Sequence, residues 1–282
     1  MTRTRTIAAH GVLMLTALAF LLPLVLMFVT SLKPLAEINN GTLFDLPREP
    51  TLSAWARAWG AACIGSRCAG IASGLWNSVL VVIPSLVTSV TLGALTGYAL
   101  SLCTSRYAHV LFVILLASLF IPGQVTLFPM IVWLRELGLF GTRTGIILVH
   151  TVWGLPFVTL LFRNFFLSVP RQVLSAARID GVGFFRMLWH LMLPMSLPVC
   201  AVVLVLQFTY LWNDFLYGLT FSGSGNEPVT VILRMLTDAQ YGVAEYNVHI
   251  AAAMMVAAPT MLVYLCSSRL LIGSTTSGTA RS

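Results

Sequence analysis

Six long apolar runs follow one another along the chain, and most charged residues lie in the shorter segments between them. Residues without Asp, Glu, Lys or Arg occupy 6–32, 68–105, 107–134, 144–162, 187–213 and 246–268. A helix needs about 20 mainly apolar residues to cross the hydrocarbon core of a bilayer. The pattern therefore predicts six transmembrane helices, with the small and polar residues 65–74 set aside as a loop. The helices are predicted near 10–31, 77–102, 108–132, 143–165, 195–218 and 248–272.

The composition is that of a membrane protein. Of 282 residues, 58% are hydrophobic and 9% are charged, and the mean hydropathy is +0.90. A soluble domain typically has about 25% charged residues. One globular core cannot bury this much apolar surface, so lipid must solvate part of it. Because a transmembrane barrel would show alternating polar and apolar residues, the predicted fold class is an all-α integral membrane protein.

The first apolar run is predicted to remain as a membrane helix rather than to be cleaved as a signal peptide. Arg3 and Arg5 precede "GVLMLTALAFLLPLVLMFVTS", and no small-x-small cleavage site follows it. This stretch is longer than the roughly 7–15 apolar residues of a signal peptide. The chain is thereby divided into a cytoplasmic N-terminus at 1–9, a transmembrane domain at 10–272 and a flexible cytoplasmic tail at 273–282.

The charges between the predicted helices indicate an orientation. With the N-terminus inside, nine Lys and Arg residues fall on the inner side and seven on the outer side. Cytoplasmic loops carry the excess of basic residues in membrane proteins. Seven of the nine acidic residues fall outside, and Asp180 is the clear inner one. We therefore expect both termini in the cytoplasm.

No feature of the sequence predicts catalysis, a metal site or nucleic-acid binding. The net charge is +7, but the basic residues are spread over several loops, where anionic lipid head groups explain them. The chain has no GxxxxGK[ST] phosphate loop and no Cys/His cluster with zinc spacing. We expect a protein that is not an enzyme, holds no cofactor or metal of its own, and contacts membrane lipid.

Two of the five cysteines lie in a predicted external loop. Cys63 and Cys68 enclose the stretch "CIGSRC". An oxidising compartment would permit a small disulfide here, and two free thiols are the alternative. Cys103, Cys200 and Cys266 lie in or beside predicted helices and are interpreted as packing residues.

Aromatic and turn residues predict further structure beside the spans. Trp55 and Trp59, at i and i+4, predict a short interfacial helix with both indoles at head-group depth. Pro122, Gly123 and Pro129 lie within or just beyond the third predicted helix. They indicate either a broken helix that lines a cavity or packs against a partner protein, or a helix end followed by a re-entrant turn.

A basic segment, "VPRQVLSAARIDGVGFFRMLWHLMLP" at 169–194, lies between two apolar runs. Ser168 is predicted as the N-cap of a helix over 171–179, with Pro170 in its first turn. Gly181 is predicted to end this helix. The segment is thus expected to lie at the cytoplasmic surface.

A second short helix is predicted to follow Gly181. Asp180 is expected to be its N-cap, and Pro194 is expected to close it. Ala176 and Ala177 leave a shallow notch on the first helix. By its residues alone, the segment fits a helix that rests on lipid as well as it fits a docking element for another protein.

The spacing within this segment resembles a known pattern. Ala176 and Ala177 are followed by three residues, Gly181, nine residues and Leu191-Met192-Leu193-Pro194. This is similar to the Glu-Ala-Ala loop of ABC-importer permeases. Ser175 replaces the glutamate of that pattern, which puts in doubt any salt bridge that the glutamate makes.

Other stretches extend the resemblance over nearly the whole chain. "TSLKPLAEI", "WNSVLV", "RNFFLSVPRQVLSAARIDG" and "QFTYLWNDFLYGL" look like the carbohydrate, or maltose-type, branch of these permeases. The insertion "ACIGSRCAGI" and the stretch "GVAEYNVHIAAAM" are most similar to glucose/mannose-type permeases.

The resemblance implies a bacterial inner-membrane subunit of the ABC type I importer fold. Its implied partners are a second permease subunit, two ATPase subunits that use ATP and Mg, and an extracytoplasmic sugar-binding protein. The implied contacts with the ATPase are Ala176, Ala177, Asp180 and Gly181, with Arg171 and Arg178 flanking them. ATP-driven movement of the docked helix would then switch the cavity between outward and inward access.

Polar residues of the fifth predicted helix are candidates for the sugar path. Gln207, Tyr210, Asn213 and Asp214 fall at i, i+3, i+6 and i+7, which would place them on one helix face. Polar side chains within a membrane span are functional candidates because they are costly there. The alternative is that they bond to neighbouring helices and stabilise the bundle.

Other classes of function fit the sequence less well. A proton- or sodium-coupled transporter would need a buried carboxylate or histidine chain and usually inverted repeats, whereas Asp214 is nearly alone and no repeat is visible. A membrane-embedded enzyme would need a convergent nucleophile or metal set. An ABC importer of another solute, such as a peptide or phosphate, stays open because a docking loop does not name the cargo.

Overall fold

The computed structural model describes the backbone of residues 3–64, 67–238 and 245–279. Helix α1 runs over Arg3–Ser31, and a polar segment with two short helices follows, α2 at Leu35–Asn40 and α3 at Ser53–Gly60. Strands β1, Cys63–Ile64, and β2, Arg67–Cys68, then pair antiparallel with Cys63 opposite Cys68. A disulfide joins these two cysteines.

Trp55 and Trp59 lie in different environments, although both belong to α3. The Trp55 indole N–H donates to Ser31 Oγ over 3.0 Å, and the ring packs edge-on against Phe28. Trp59 is exposed. The short helix predicted from this pair is present, but Trp55 packs against the end of α1 because a hydroxyl acceptor lies within its reach.

The central part of the chain consists of four helices. They are α4 at Ala72–Leu102, α5 at Arg106–Ser118, α6 at Gly123–Glu136 and α7 at Arg143–Ser168. Helices α5 and α6 form an angle of 108°. The third helix, predicted near 108–132, is therefore interrupted before Gly123, and the bend fits both a broken helix and a helix end followed by a re-entrant turn. Proline removes a backbone donor and disfavours a helical conformation in the preceding residue.

The helices after α7 are short or interrupted up to the last one. They are α8 at Arg171–Ile179, α9 at Phe184–Met187, a π-helical turn at Leu188–Met192, α10 at Leu193–Met195, α11 at Leu197–Trp212, α12 at Leu216–Phe221, α13 at Val229–Asp238 and α14 at Tyr246–Thr279. The fifth helix, predicted over 195–218, ends at Trp212, and α13 was not predicted. Helix α14 extends into the predicted tail, of which residues 280–282 lie outside the described residues.

Among the described residues, four helices are long and apolar enough to cross a membrane. The number rises to six if each of two bent helix pairs counts as one span. The second bent pair joins Phe184–Met195 to Leu197–Trp212 at 77°. The chain is thus a mainly helical membrane protein, as its apolar pattern predicts.

The helices belong to two compact units. One unit contains the residues up to Leu75 together with Ile232–Ala258, and the other contains Trp76–Val231 together with the residues from Pro259 onward. The second unit holds two apolar clusters. The first is centred on Tyr98, Phe162, Phe166 and Met192, and the second on Ile146, Val149, Tyr217 and Phe221.

Close packing of α4 on α7 depends on two glycines. A Cβ at Gly93 would meet the Val158 side chain, and a Cβ at Gly97 would lie 2.9 Å from the backbone nitrogen of Arg163. One turn from Gly93, the Thr88 and Thr151 hydroxyls lie 2.7 Å apart. Small residues four positions apart allow membrane helices to approach closely, and this contact holds α7 in position.

Candidate functional site

Helix α8 begins with Pro170 in the N-cap position, and no side chain caps it. Ser168 belongs to α7, where its hydroxyl donates to the Phe165 carbonyl, so its predicted role as the N-cap is wrong. The Ser175 hydroxyl donates back to the Arg171 carbonyl over 2.7 Å. Serine at this position is therefore satisfied within α8 itself, unlike a glutamate, whose acceptor-only carboxylate could not make this bond.

The chain turns sharply at the end of α8. Gly181 has φ +74°, a left-handed conformation that glycine adopts at little cost. Its N–H donates to the Arg178 carbonyl, and the Val182 N–H donates to the Ala177 carbonyl. These bonds satisfy two carbonyls at the helix end. Gly181 ends the helix as predicted.

The next helix begins without the cap that was predicted for it. Gly183 occupies the N-cap position of α9, and Asp180 is the C-cap of α8. The prediction of Asp180 as N-cap is wrong because the left-handed turn uses two further residues. Pro194 does not close the second helix either, since α10 continues to Met195 after a π-helical turn. Proline has no backbone N–H to donate to the preceding turn, and the π-helical turn changes the hydrogen-bond pattern at this point of the helix.

A groove of about 650 Å³ separates α8 from the helix that follows it. We call it the α8 groove; its lining residues are Val173, Ala176, Ala177, Asp180, Val182, Arg186, Met187, His190 and Leu191. Ala176 and Asp180 are exposed at its rim, whereas Ala177 is partly buried. Ile179 beside it is 85% exposed. An apolar floor with charged edges and a projecting isoleucine can receive a short element of another protein.

The α8 groove is continuous with the core of its unit. Leu174, Ala177 and Val182 pack against the apolar cluster that contains Phe162 and Met192. The Tyr98 hydroxyl donates to the Phe184 carbonyl over 3.2 Å. Helix α8 is therefore packed on the same interior as the ends of α4 and α7.

The two arginines that flank the groove lie on the surface of the protein. Arg171 and Arg178 are both exposed on α8. Arg178 lies in the last turn, where a positive charge is favoured by the helix dipole. Of the residues predicted for coupling, three line the α8 groove, Ala176, Ala177 and Asp180. The others, Arg171, Ser175, Arg178 and Gly181, lie on α8 or in the turn that ends it.

The structure separates the four residues predicted for the sugar path, because Gln207 and Tyr210 lie on α11 whereas Asn213 and Asp214 follow its end. Gln207 is 2% exposed, and its Nε2 lies 3.5 Å from Ser89 Oγ and packs on Gly154. Tyr210 is half-exposed and Asn213 is exposed. Gln207 therefore matches the alternative reading, in which it stabilises the bundle.

Asp214 leaves the line of α11 because that helix ends at Trp212. Its carboxylate accepts from the Tyr217 and Gly218 backbone N–H groups over 3.3 and 2.9 Å and caps α12. His150 Nε2 lies 3.8 Å from Asp214 Oδ2. Sequence reasoning missed Tyr217 on α12, and it interpreted His150 on α7 as an interfacial or packed histidine rather than a proton relay; the structure buries His150. The Asp-x-x-x-Gly spacing after Trp212 could have indicated the start of a helix, but not the contact with His150, which comes from a helix distant along the chain.

Among the described residues, no group of three or more His, Cys, Asp or Glu side chains converges as a metal site would require.

The chain is similar to permeases of several importers. A family model described as "Binding-protein-dependent transport system inner membrane component" matches residues 89–271. The diacetylchitobiose uptake system permease protein NgcG of Streptomyces coelicolor is 31% identical over 274 residues, which cover 97% of this chain and 88% of the relative. A probable ABC transporter permease of Pyrococcus horikoshii is 32% identical over 247 residues, which cover 88% of this chain and 87% of the relative.

A solved structure shares the fold. It is a bacterial ABC transporter involved in the import of the acidic polysaccharide alginate, with a TM-score of 0.80, 24% identity and coverage of 95% of this chain and 98% of that chain. The fold is thus that of an ABC type I importer permease. The chain therefore belongs to the family of binding-protein-dependent transport system inner membrane components, the permease subunits of ABC importers.

Proposed function

We propose that the chain is the permease subunit of an ABC importer for a carbohydrate. It would form the translocation path with a second permease subunit and dock two ATPase subunits, which use ATP and Mg. An extracytoplasmic binding protein would deliver the solute. Both termini would lie in the cytoplasm of a bacterial cell, as the distribution of basic residues predicts.

The observation that carries this proposal is the α8 groove. It is open, it ends in the hydrogen-bonded turn at Gly181, and it is packed on the same core as α4 and α7. A helix that only rests on lipid would have no need for a groove or for this connection. In the proposed mechanism, closure of the ATPase subunits moves α8 and shifts the population between outward and inward access.

The relatives support a carbohydrate as the cargo. Their names include diacetylchitobiose uptake, α-glucoside transport and xylose/arabinose import, although another is an sn-glycerol-3-phosphate permease. Within carbohydrates, we propose a monosaccharide of the glucose/mannose type, on the resemblance of the external insertion around Cys63 and Cys68. This finer assignment is tested by measuring how far unlabelled mannose, diacetylchitobiose or glycerol 3-phosphate inhibits the uptake of radiolabelled glucose.

ATP hydrolysis by the reconstituted complex tests the proposed function. Stimulation by the sugar-loaded binding protein is expected for the native complex. Ala176→Glu should reduce this stimulation more than tenfold, since an unpaired charge in a docking surface costs about 2–5 kcal/mol. Ala176 is a better position for this test than Ala177. Because Ala176 is exposed, a glutamate there should leave the fold of the isolated subunit intact.

Gln172→Glu is the matched control. It adds the same charge to an exposed position of α8 that does not line the groove. Hydrolysis by this variant should stay within about twofold of the native rate, as is usual for a surface substitution. Equal loss in both variants, or solute uptake that follows a proton gradient without ATP, would contradict the proposal.

A further inference from the structure

Two interruptions of the membrane helices lie side by side in the unit that contains α7. One is the turn between α5 and α6, at Leu119–Pro122, and the other is the turn between α11 and α12, at Asn213–Phe215. A Cβ on Gly123, the first residue of α6, would overlap the Tyr217 hydroxyl of α12. The two turns are therefore in direct contact through this pair.

Tyr217 contacts both sides of this junction. Its hydroxyl interacts with the Thr126 side chain of α6 and with the Tyr210 side chain of α11. Its ring stacks on Trp153 at 5.8 Å and meets His150 edge-on at 6.0 Å, both on α7. Tyr217 is 3% exposed, so these contacts are held by the packing around it.

Asp214 completes the junction from the other turn. Its carboxylate holds the start of α12, as described above, and lies beside His150. Its backbone carbonyl accepts from the Thr230 hydroxyl of α13 over 2.6 Å. The turn after α11 is thus bonded to α12 and α13 and lies against α7, while Tyr217 extends the network to α6.

The same junction is connected to the α8 groove. Helix α11 runs without interruption from Leu197 to Trp212, and its first residues follow the segment that forms the groove. Val203 of α11 belongs to the apolar cluster on which α8 packs. Helix α11 thus contacts this cluster through Val203 and ends at the turn before Asp214, although it meets the segment before it at a bend of 77°.

We propose that Tyr217 and Asp214 are positioning residues that make the α5–α6 turn and the α11–α12 turn move as one body during the transport cycle. The inference rests on the proposed function for the meaning of that cycle. It differs from the predicted sugar path, since Asp214 is directed at protein groups. The hydroxyl of Tyr217 lies at the contact between the two turns, against Gly123 at the start of α6.

The distance between spin labels at Phe120 and Leu219 tests the inference. Both residues are exposed, at 86% and 49%, and flank the junction. The labels are placed as cysteines in the full complex, with Cys103, Cys200 and Cys266 replaced by serine. A single narrow distance distribution is expected, unchanged between the nucleotide-free and the ATP-trapped complex.

Tyr217→Phe should broaden this distribution, because it removes the hydroxyl and keeps the ring. Loss of one hydrogen bond shifts a two-state equilibrium by about two- to tenfold. Sugar molecules transported per ATP should fall by the same factor, while ATP hydrolysis is retained. Tyr264→Phe, at an exposed tyrosine of α14, is the matched control and should change neither quantity.

The inference would be overturned if the native distance distribution shifted on ATP trapping. It would also be overturned if the Tyr217→Phe complex kept the native width of the distribution and the native number of sugar molecules transported per ATP. A proportional loss of hydrolysis and transport would also overturn it, since that is the signature of a merely structural residue. If no sugar is transported at all, the proposed cargo fails. Even then, the width of the distance distribution in the nucleotide-free complex decides whether the Tyr217 hydroxyl joins the two turns.

Discussion

Cys103 is an exposed thiol in the turn between α4 and α5. Its sulfur lies 3.5 Å from the Ser105 hydroxyl, which also accepts from the Ala108 N–H and caps α5. Hydrogen bonds from the Ser105 side chain and backbone lower the pKa of the Cys103 thiol. A lower pKa raises the thiolate fraction at neutral pH, and the thiolate is the reactive form.

A membrane-impermeant maleimide should label Cys103 in inverted vesicles and not in right-side-out vesicles. This outcome follows from the proposed orientation, in which the α4–α5 turn is cytoplasmic. Ser105→Ala should slow the labelling at neutral pH, because the hydrogen bond that stabilises the thiolate is lost. Cys200 and Cys266 are replaced by serine for this measurement. Labelling from the outside would reverse the proposed orientation.

The contact between α4 and α7 shows how an element is positioned by small residues. Gly93 and Gly97 lie one helical turn apart and face the α7 backbone. The Gly-x-x-x-Gly spacing is readable in "LGALTGY", but its partner helix is not. The contact positions α7, on which His150 and Trp153 lie against Tyr217.

Gly97→Leu should destabilise the protein by about 1–3 kcal/mol, the usual cost of forcing extra side-chain volume into a packed contact. The displaced atoms would be the α7 backbone, which cannot yield as a side-chain tip can. Thermal unfolding in detergent measures the effect. Gly11→Leu is the control, since nothing lies within 4 Å of a Cβ there. Equal melting temperatures for both variants would contradict close α4–α7 packing.

Widely separated parts of the chain meet at the ends of the spans. Arg57 of α3 forms a two-point ion pair with Glu245, before α14, at 2.6 and 2.7 Å. Nearby, the buried Asn247 amide donates to the Lys33 carbonyl over 3.1 Å. The first polar segment is thus bonded to the start of the last helix within one compact unit.

A double-mutant cycle on Arg57→Ala and Glu245→Ala should give a coupling of about 0.2–1 kcal/mol, because exposed ion pairs are worth little. The two side chains are 51% and 33% exposed. The coupling should shrink as salt is added. Arg234 and Asp238, an ion pair within α13, provide the control cycle for a purely local bond. A salt-independent coupling of several kcal/mol would show that the pair is buried in the assembled importer.

The positions of most membrane helices follow from the sequence, and so does the α8–glycine turn. Uninterrupted apolar runs predict spans because every backbone polar group in lipid must be paired within its own helix. Gly181 is predictable because a helix end of this kind needs a residue with positive φ. These are local requirements, and a linear pattern is sufficient to show them.

The tertiary structure alone decided how the polar residues of the spans are used. Periodicity placed Gln207, Tyr210, Asn213 and Asp214 on one face, but α11 ends at Trp212 and Asp214 turns toward α12 and His150. Tyr217 acquires its role only because Gly123 lies against its hydroxyl. A helix break changes the direction of every residue after it, and the contacts that stabilise such a break come from helices distant in sequence. Their partners are therefore determined by packing and not by spacing along the chain.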